Sequence, residues 1–253
     1  MKDAKKKIAV ITGGNRGLGR ELALELAKND FFISVIARGK ELNDDVVSEI
    51  RQRGGAAESY EADLRNSDSI NKAFSEILAK HGGIDALINN AAVAYFEYAK
   101  DIDEAKCAEM IDLNIKAVYL ACKMALPSMV EKKKGTIINI SSIYGVRVDK
   151  KTSIYSMTKF GLVGYTKGLH ADYNESGIRV KVFCPTMFGE NELLDTSILC
   201  RGIARSIINT QDRYNEKIIL SKKIGVFKIL LFINKIWATN GDSRLTNYRF
   251  KFI

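Results

Sequence analysis

Between Lys7 and Lys28 the chain reads as a strand, a glycine turn and a helix, and few folds accept that unit. The apolar run Lys7-Ile-Ala-Val-Ile-Thr12 is continuous rather than alternating, as in a strand buried on both faces of a parallel sheet. Gly13-Gly-Asn-Arg-Gly-Leu-Gly19 follows, and then a helical pattern from Arg20 to Lys28 in which Leu22, Leu24 and Leu26 alternate with charges. Glycines let a backbone come close to a ligand, and the helix N-terminus beyond them offers free N–H donors and the positive end of a dipole. The unit therefore suits a phosphate group. Gly13, Asn15, Arg16, Gly17, Leu18 and Gly19 are its candidate contacts. The spacing is Gly13-x-x-x-Gly17-x-Gly19 and not Gly-x-Gly-x-x-Gly, because Leu22 stands where the third glycine of that pattern would fall.

The same alternation recurs. Strands are expected at Phe31–Ala37, Ala56–Ala62, Ile84–Ala92, Gly135–Ser142 and Ile178–Cys184, separated by helices from near Ser67, from Ala105 through Val130, and from Ser153 to Tyr173. Six strands alternating with helices imply an α/β fold, a Rossmann-like doubly wound parallel sheet, with ligands at the carboxyl ends of the strands. At 253 residues a single domain is expected, with residues 191–253 as a divergent C-terminal segment.

The residues at those ends carry the chemistry. Arg38 closes the second strand about 20 residues past the glycines, where a dinucleotide unit that recognises ribose hydroxyls carries an acid. A cation there suits the 2′-phosphate of NADP, and Arg16 adds a second phosphate contact. Asp63, with Leu64, ends the third strand, either to accept a bond from an adenine amine or to cap the helix near Ser67. Asn89, Asn90 and Ala91 end the fourth, where small side chains leave room for a ribose and a nicotinamide. Asn114 stands among Ile111, Leu113, Ile115, Val118 and Leu120, a costly place for an unsatisfied amide. It is read either as a structural hydrogen-bonder or as the holder of a water for the site.

Ser142 ends the fifth strand, and Tyr155-x-x-x-Lys159 opens the next helix. Four residues apart on a helix, the ammonium and the phenol share a face, and the ammonium is expected to favour the ionised phenol. Tyr155 is then a proton donor and acceptor. Tyr119 and Lys123 repeat the spacing without a hydroxyl-bearing strand end before them, and are read as ordinary helix residues.

Together, Thr12-Gly-x-x-x-Gly-x-Gly19, Asp63, Asn89-Asn-Ala-Ala92, Asn114, Ser142 and Tyr155-x-x-x-Lys159 make the chain, from about Ile8 to Pro185, resemble the classical short-chain dehydrogenase/reductase family. The resemblance implies hydride transfer between a nicotinamide and a carbonyl or alcohol. Ser142 would hold the carbonyl oxygen, Tyr155 would give the proton, and Lys159 would lower the phenol pKa and grip the nicotinamide ribose. Asn114 would hold a water leading from Lys159 to solvent. Pro185 is followed by Thr186-Met-Phe-Gly rather than the family's usual Pro-Gly, so Thr186 or a backbone group would replace the contact to the nicotinamide amide. The family also favours a homodimer or homotetramer.

Composition narrows the rest. Cys107, Cys122, Cys184 and Cys200 are scattered, and only two histidines occur, so no metal site is expected. Scattered cysteines and a start without an apolar signal segment fit a cytoplasmic protein. Residues 199–253 hold eleven basic against three acidic residues, which is +8 of the chain's +9. No nucleic-acid partner is expected, because no basic stripe with interleaved aromatics appears elsewhere. An apolar helix is expected at 224–237, short of the roughly 20 residues that span a bilayer. It is read as packed on the domain or a partner, with peripheral contact to an anionic membrane as the sharper alternative. Val93, Tyr95, Phe96, Tyr144, Met187 and Phe188 follow the site strands and point to an apolar substrate. The expected activity is NADP(H)-dependent reduction of an apolar ketone or aldehyde, and the rival is a non-catalytic NADP-binding sensor or scaffold.

Overall fold

A computed structural model of the chain describes residues 6–185 and 196–208. Six parallel strands form one sheet: β1 (Lys7–Thr12), β2 (Phe31–Ala37), β3 (Ala56–Glu61), β4 (Ala86–Asn89), β5 (Gly135–Ile140) and β6 (Ile178–Phe183). Their spatial order is β3-β2-β1-β4-β5-β6. The chain order reverses between β1 and β4, and a crevice opens at the carboxyl ends of those two strands.

Helices cover both faces. On one lie α1 (Gly17–Ala27), α2 (Lys40–Gln52) and, at the end of the described chain, α7 (Thr196–Ile208); on the other lie α3 (Ser67–His81), α4 (Glu104–Ile111), α5 (Ala117–Glu131) and α6 (Ser153–Tyr173). Successive strand residues point to opposite faces. Ala9 and Ile11 therefore join Leu22, Leu26, Ile50 and Ile203, while Ile8 and Val10 join Phe74, Ile77, Ala121 and Leu162. Each buried Ile, Leu, Val or Phe among these contributes about 1.5–3 kcal/mol. Arg179 of β6 reaches the last turn of α7, donating to the carbonyls of Ser206 (3.1 Å) and Ile207 (2.7 Å), and so ties that helix to the sheet.

Local signals set the ends. Asn66 caps α3 by accepting the Ser69 N–H at 2.9 Å, and Gly82 leaves that helix with φ 73°. Asp103 caps α4 through the Lys106 N–H at 2.7 Å.

Three expectations are corrected. The stretch predicted as one helix from Ala105 through Val130 is interrupted by a π-helical turn at Asp112–Lys116, centred on Asn114. Such turns insert one residue into the spiral and are frequent at functional sites. The fourth strand stops at Asn89 and not at Ala92, because the N–H groups of Asn90 and Ala91 donate to Thr12 Oγ1 (3.0 and 3.2 Å) and turn away from the ladder. The cap of α3 is Asn66 and not Asp63. The apolar helix expected at 224–237, and Thr186, Met187 and Phe188, lie outside the described residues. Among the described residues, no helix is long and apolar enough to cross a membrane.

Candidate functional site

The glycine turn shapes the crevice. Gly13 (φ 63°) and Gly17 (φ 52°) adopt left-handed conformations that favour glycine. A Cβ on Gly19 would strike the Gly13 carbonyl oxygen and lie 2.5 Å from Asn90 Nδ2, so the helix can approach the strand only without one. Asn90 Nδ2 in turn donates to the carbonyls of Thr12 (3.2 Å) and Gly13 (3.0 Å), which locks the end of β4 to the turn. Asn15 Nδ2 donates to the Arg38 carbonyl at 3.0 Å and locks the end of β2 to it.

Beside this turn lies a cleft of about 290 Å³ lined by Gly13, Asn15, Arg16, Arg38, Asp63, Leu64, Arg65, Asn90 and Ala91, among others. Arg65 was not among the sequence candidates. Its guanidinium grips Asp63, with Nε 3.0 and 3.1 Å from the two carboxylate oxygens and Nη2 2.6 Å from Oδ2, and its Nη1 reaches Glu109 of α4 at 2.9 Å. The hydrogen bonds from Arg65 hold the Asp63 carboxyl down at about 2, against the upward push of burial, and the charge of Arg38 adds to them. The signal for Arg65 in the sequence was an arginine two residues beyond a carboxylate on an extended segment.

A second cavity, of about 350 Å³, meets the cleft at Asn90 and Ala92. Ser142, Tyr155 and Lys159 line it together with Leu18, Phe96, Ile140 and Pro185. Three elements bring the polar groups together. The Ser142 hydroxyl oxygen accepts the Tyr144 N–H at 3.2 Å and caps a short 3-10 turn after β5. Tyr155 and Lys159 project from the first turns of α6. The Ser141 hydroxyl donates to the Lys159 carbonyl at 3.0 Å and holds α6 against the end of β5.

Lys159 is 2% exposed, and its Nζ donates to the Ile140 carbonyl at 3.1 Å. Burial pulls its pKa down to about 8. Nζ lies 5.7 Å from the centroid of the Tyr155 ring. Burial likewise raises the Tyr155 phenol above its ordinary value, with a hydrogen bond from Ser142 acting the other way. The expectation that the ammonium favours the ionised phenol is not met here: burial and the neighbouring Tyr144 raise the phenol. Phe96 stands edge-on to Tyr155 with centroids 5.5 Å apart, and Tyr144 does so at 6.2 Å.

Other candidates fall elsewhere. Asn114 lines neither cavity. Its Oδ1 accepts the Val93 N–H (2.9 Å) while its Nδ2 donates to the Val93 carbonyl (2.9 Å) and to Thr158 Oγ1 (3.1 Å), which ties the chain after β4 to α6. The side chain is thus a structural bridge beneath the Tyr155 turn. Gly17 and Gly19 act through backbone shape, while Leu18 and Pro185 form walls. Tyr95 turns from the cavity and donates to Glu109 at 2.5 Å. Tyr119 is 47% exposed on α5.

The family model for short chain dehydrogenases matches residues 7–196. The chain is 32% identical over 180 residues to a 3-oxoacyl-(acyl-carrier-protein) reductase of Staphylococcus aureus, covering 71% of this chain and 73% of that protein. It is 29% identical over 181 residues to a 3β-hydroxysteroid dehydrogenase of Mediterraneibacter gnavus, covering 71% and 65%. Among solved structures, a metagenomic short-chain oxidoreductase in complex with NADP superimposes with a TM-score of 0.79 at 30% identity, covering 85% of this chain and 97% of that one. An alcohol dehydrogenase of Thermococcus sibiricus, complexed with 5-hydroxy-NADP, shares the fold with a TM-score of 0.80 at 21% identity, covering 86% and 97%. The family match runs from β1 to the start of α7 and so spans the elements that carry the glycine turn, Ser142, Tyr155 and Lys159, and the chain belongs to the short chain dehydrogenases.

Proposed function

We propose that the chain is an NADP(H)-dependent oxidoreductase that reduces an apolar ketone or aldehyde to an alcohol. The observation that carries this reading is the convergence of Ser142, Tyr155 and Lys159 on a cavity that opens, at Asn90 and Ala92, into a cleft holding Arg16 and Arg38. The turn suits a dinucleotide: Gly13 and Gly17 take left-handed conformations, nothing lies within 4 Å of a Cβ placed at Gly17, and the first turn of α1 carries no acidic residue to repel a phosphate. Arg16 and Arg38 would hold a 2′-phosphate, Leu64 and Ala91 would flank the nucleoside, and Asn90 would shape the passage to the second cavity.

A bound nicotinamide supplies the hydride. The remaining work falls to this chain's own side chains. The Ser142 oxygen accepts the Tyr144 N–H, and its hydrogen, turned toward Tyr155 here, would be donated to a carbonyl oxygen when a substrate is bound. Tyr155, its phenol raised by burial, is protonated at neutral pH and gives that proton to the oxygen as negative charge develops there. The Lys159 ammonium, anchored by the Ile140 carbonyl, offsets the charge left on the phenol. Asn114 positions Tyr155 and Lys159 from below through Thr158, whose hydroxyl donates to the Tyr155 carbonyl at 2.8 Å. Leu18, Ala92, Phe96, Ile140 and Pro185 supply apolar walls. The similarity to a 3-oxoacyl reductase and a 3β-hydroxysteroid dehydrogenase supports a carbonyl or hydroxyl on an apolar skeleton. Exposed Met157 and Phe160 on α6 give apolar surface for the homodimer or homotetramer that this reading includes.

The test is oxidation of NADPH and of NADH by the purified protein across a panel of hydrophobic ketones and aldehydes. Turnover with NADPH preferred is the expected result. A preference for NADH overturns the arginine reading, and NADP binding without turnover of any carbonyl favours the sensor.

A further inference from the structure

The three guanidinium groups of the 290 Å³ cleft are not equivalent. Arg65 is engaged by Asp63 and Glu109, and its backbone N–H adds a fourth bond to Asp63 at 3.0 Å. Arg16 and Arg38 form no ion pair with any described residue. Yet Asp63 lines the same cleft as Arg38, and the charge of Arg38 is among the influences that lower both carboxylates. Glu109 is also held by the Tyr95 hydroxyl, which keeps it turned toward Arg65.

We infer that Arg65 sets cofactor preference indirectly: it occupies Asp63 and Glu109, and thereby leaves Arg38 to the 2′-phosphate of the dinucleotide. Charge counting supports it. The charged residues that line the cleft, Arg16, Arg38 and Arg65 against Asp63, leave it at +2, and without Arg65 it falls to +1 while Asp63 and, beside the cleft, Glu109 lose their guanidinium partner. Arg65 is a positioning residue here, acting through its neighbours and not through contact with the phosphate. A second consequence concerns Asp63, whose two oxygens accept three N–H groups of Arg65 over four contacts. Arg65 thus takes most of its acceptor capacity, and charge balance is the first role of this carboxylate.

This inference rests on the NADP reading proposed above, and binding measurements separate the two. Calorimetric titration of the full chain with NADP⁺ and with NAD⁺ gives the ratio of their Kd values without any turnover. Wild type is expected to favour NADP⁺. Arg65→Met is expected to lower that preference roughly tenfold, the order of effect of one unmasked charge at a partly exposed separation. Adding Asp63→Asn to Arg65→Met is expected to restore most of the lost preference, because the unmasked charge is gone, while Arg65→Lys, which keeps the charge and loses the fork, falls between. An unchanged ratio in Arg65→Met with wild-type preference intact overturns the role of Arg65 alone. Equal weakening of both dinucleotides, with no recovery in the double variant, marks Arg65 as merely structural and overturns it too. No preference in wild type overturns both this inference and the NADP reading.

Discussion

Replacing Lys159 by Met should make the fold more stable at pH 7 while disabling the site. Lys159 is 2% exposed, and its pKa in the folded chain is about 8, against an ordinary 10.5. At about 1.4 kcal/mol per unit, the gap between these values is a cost of roughly 3 kcal/mol for holding the ammonium in the fold below pH 8. Met has a similar length and no charge, and gives up the bond to the Ile140 carbonyl, worth about 1 kcal/mol. A net gain of roughly 2 kcal/mol at pH 7 follows. Between pH 8 and 10.5 the unfolded chain holds a proton that the folded one has released, so wild-type stability rises with pH across that window. The advantage of the variant therefore shrinks to near zero by about pH 10. Urea unfolding of both proteins at pH 7 and pH 10, with unchanged slopes, measures this. A variant less stable at pH 7, or a difference that does not move with pH, would refute the reasoning.

Three further substitutions test how the chain is built. Gly19→Ala places a methyl group against the Gly13 carbonyl and Asn90, and should cost about 1–3 kcal/mol and weaken NADP⁺ binding. Gly202→Ala on α7, where nothing lies within 4 Å of the added carbon, should be neutral or stabilising by up to about 1 kcal/mol when both glycine variants are compared by urea unfolding. Asn114→Leu removes three hydrogen bonds and strands the half-buried amide and carbonyl of Val93, so its urea midpoint should fall by an amount equal to about 2–4 kcal/mol. A variant as stable as wild type would remove Asn114 from its bridging role.

Much of this was legible in the sequence because local and tertiary demands agree. The stretch 8–11 of β1, buried throughout, has to be a continuous apolar run, and the helix Ser153–Tyr173 keeps its pattern despite three internal glycines. The reversal of strand order places Gly13, Arg38, Asp63, Asn90 and Ser142 at one edge, as six repeats of the same unit require. What was not legible depends on neighbours remote in sequence. The π-helical turn at Asn114 has no local sign, since its partners Val93 and Thr158 are 21 and 44 residues away. The engagement of Arg65 by Glu109 spans 44 residues. The raised phenol of Tyr155 depends on burial beneath Phe96 and Tyr144, which spacing on one helix does not report.

The role given to Tyr155 is tested most directly by following hydride and proton together. NADPH carrying deuterium at the transferable position, incubated with a hydrophobic ketone, should yield an alcohol heavier by one deuterium with the wild-type protein. Tyr155→Phe should bind NADPH as wild type does and lose at least about 100-fold of the labelled product, the scale of a missing general acid. An unlabelled alcohol, or labelled product from Tyr155→Phe at the wild-type rate, would contradict the account.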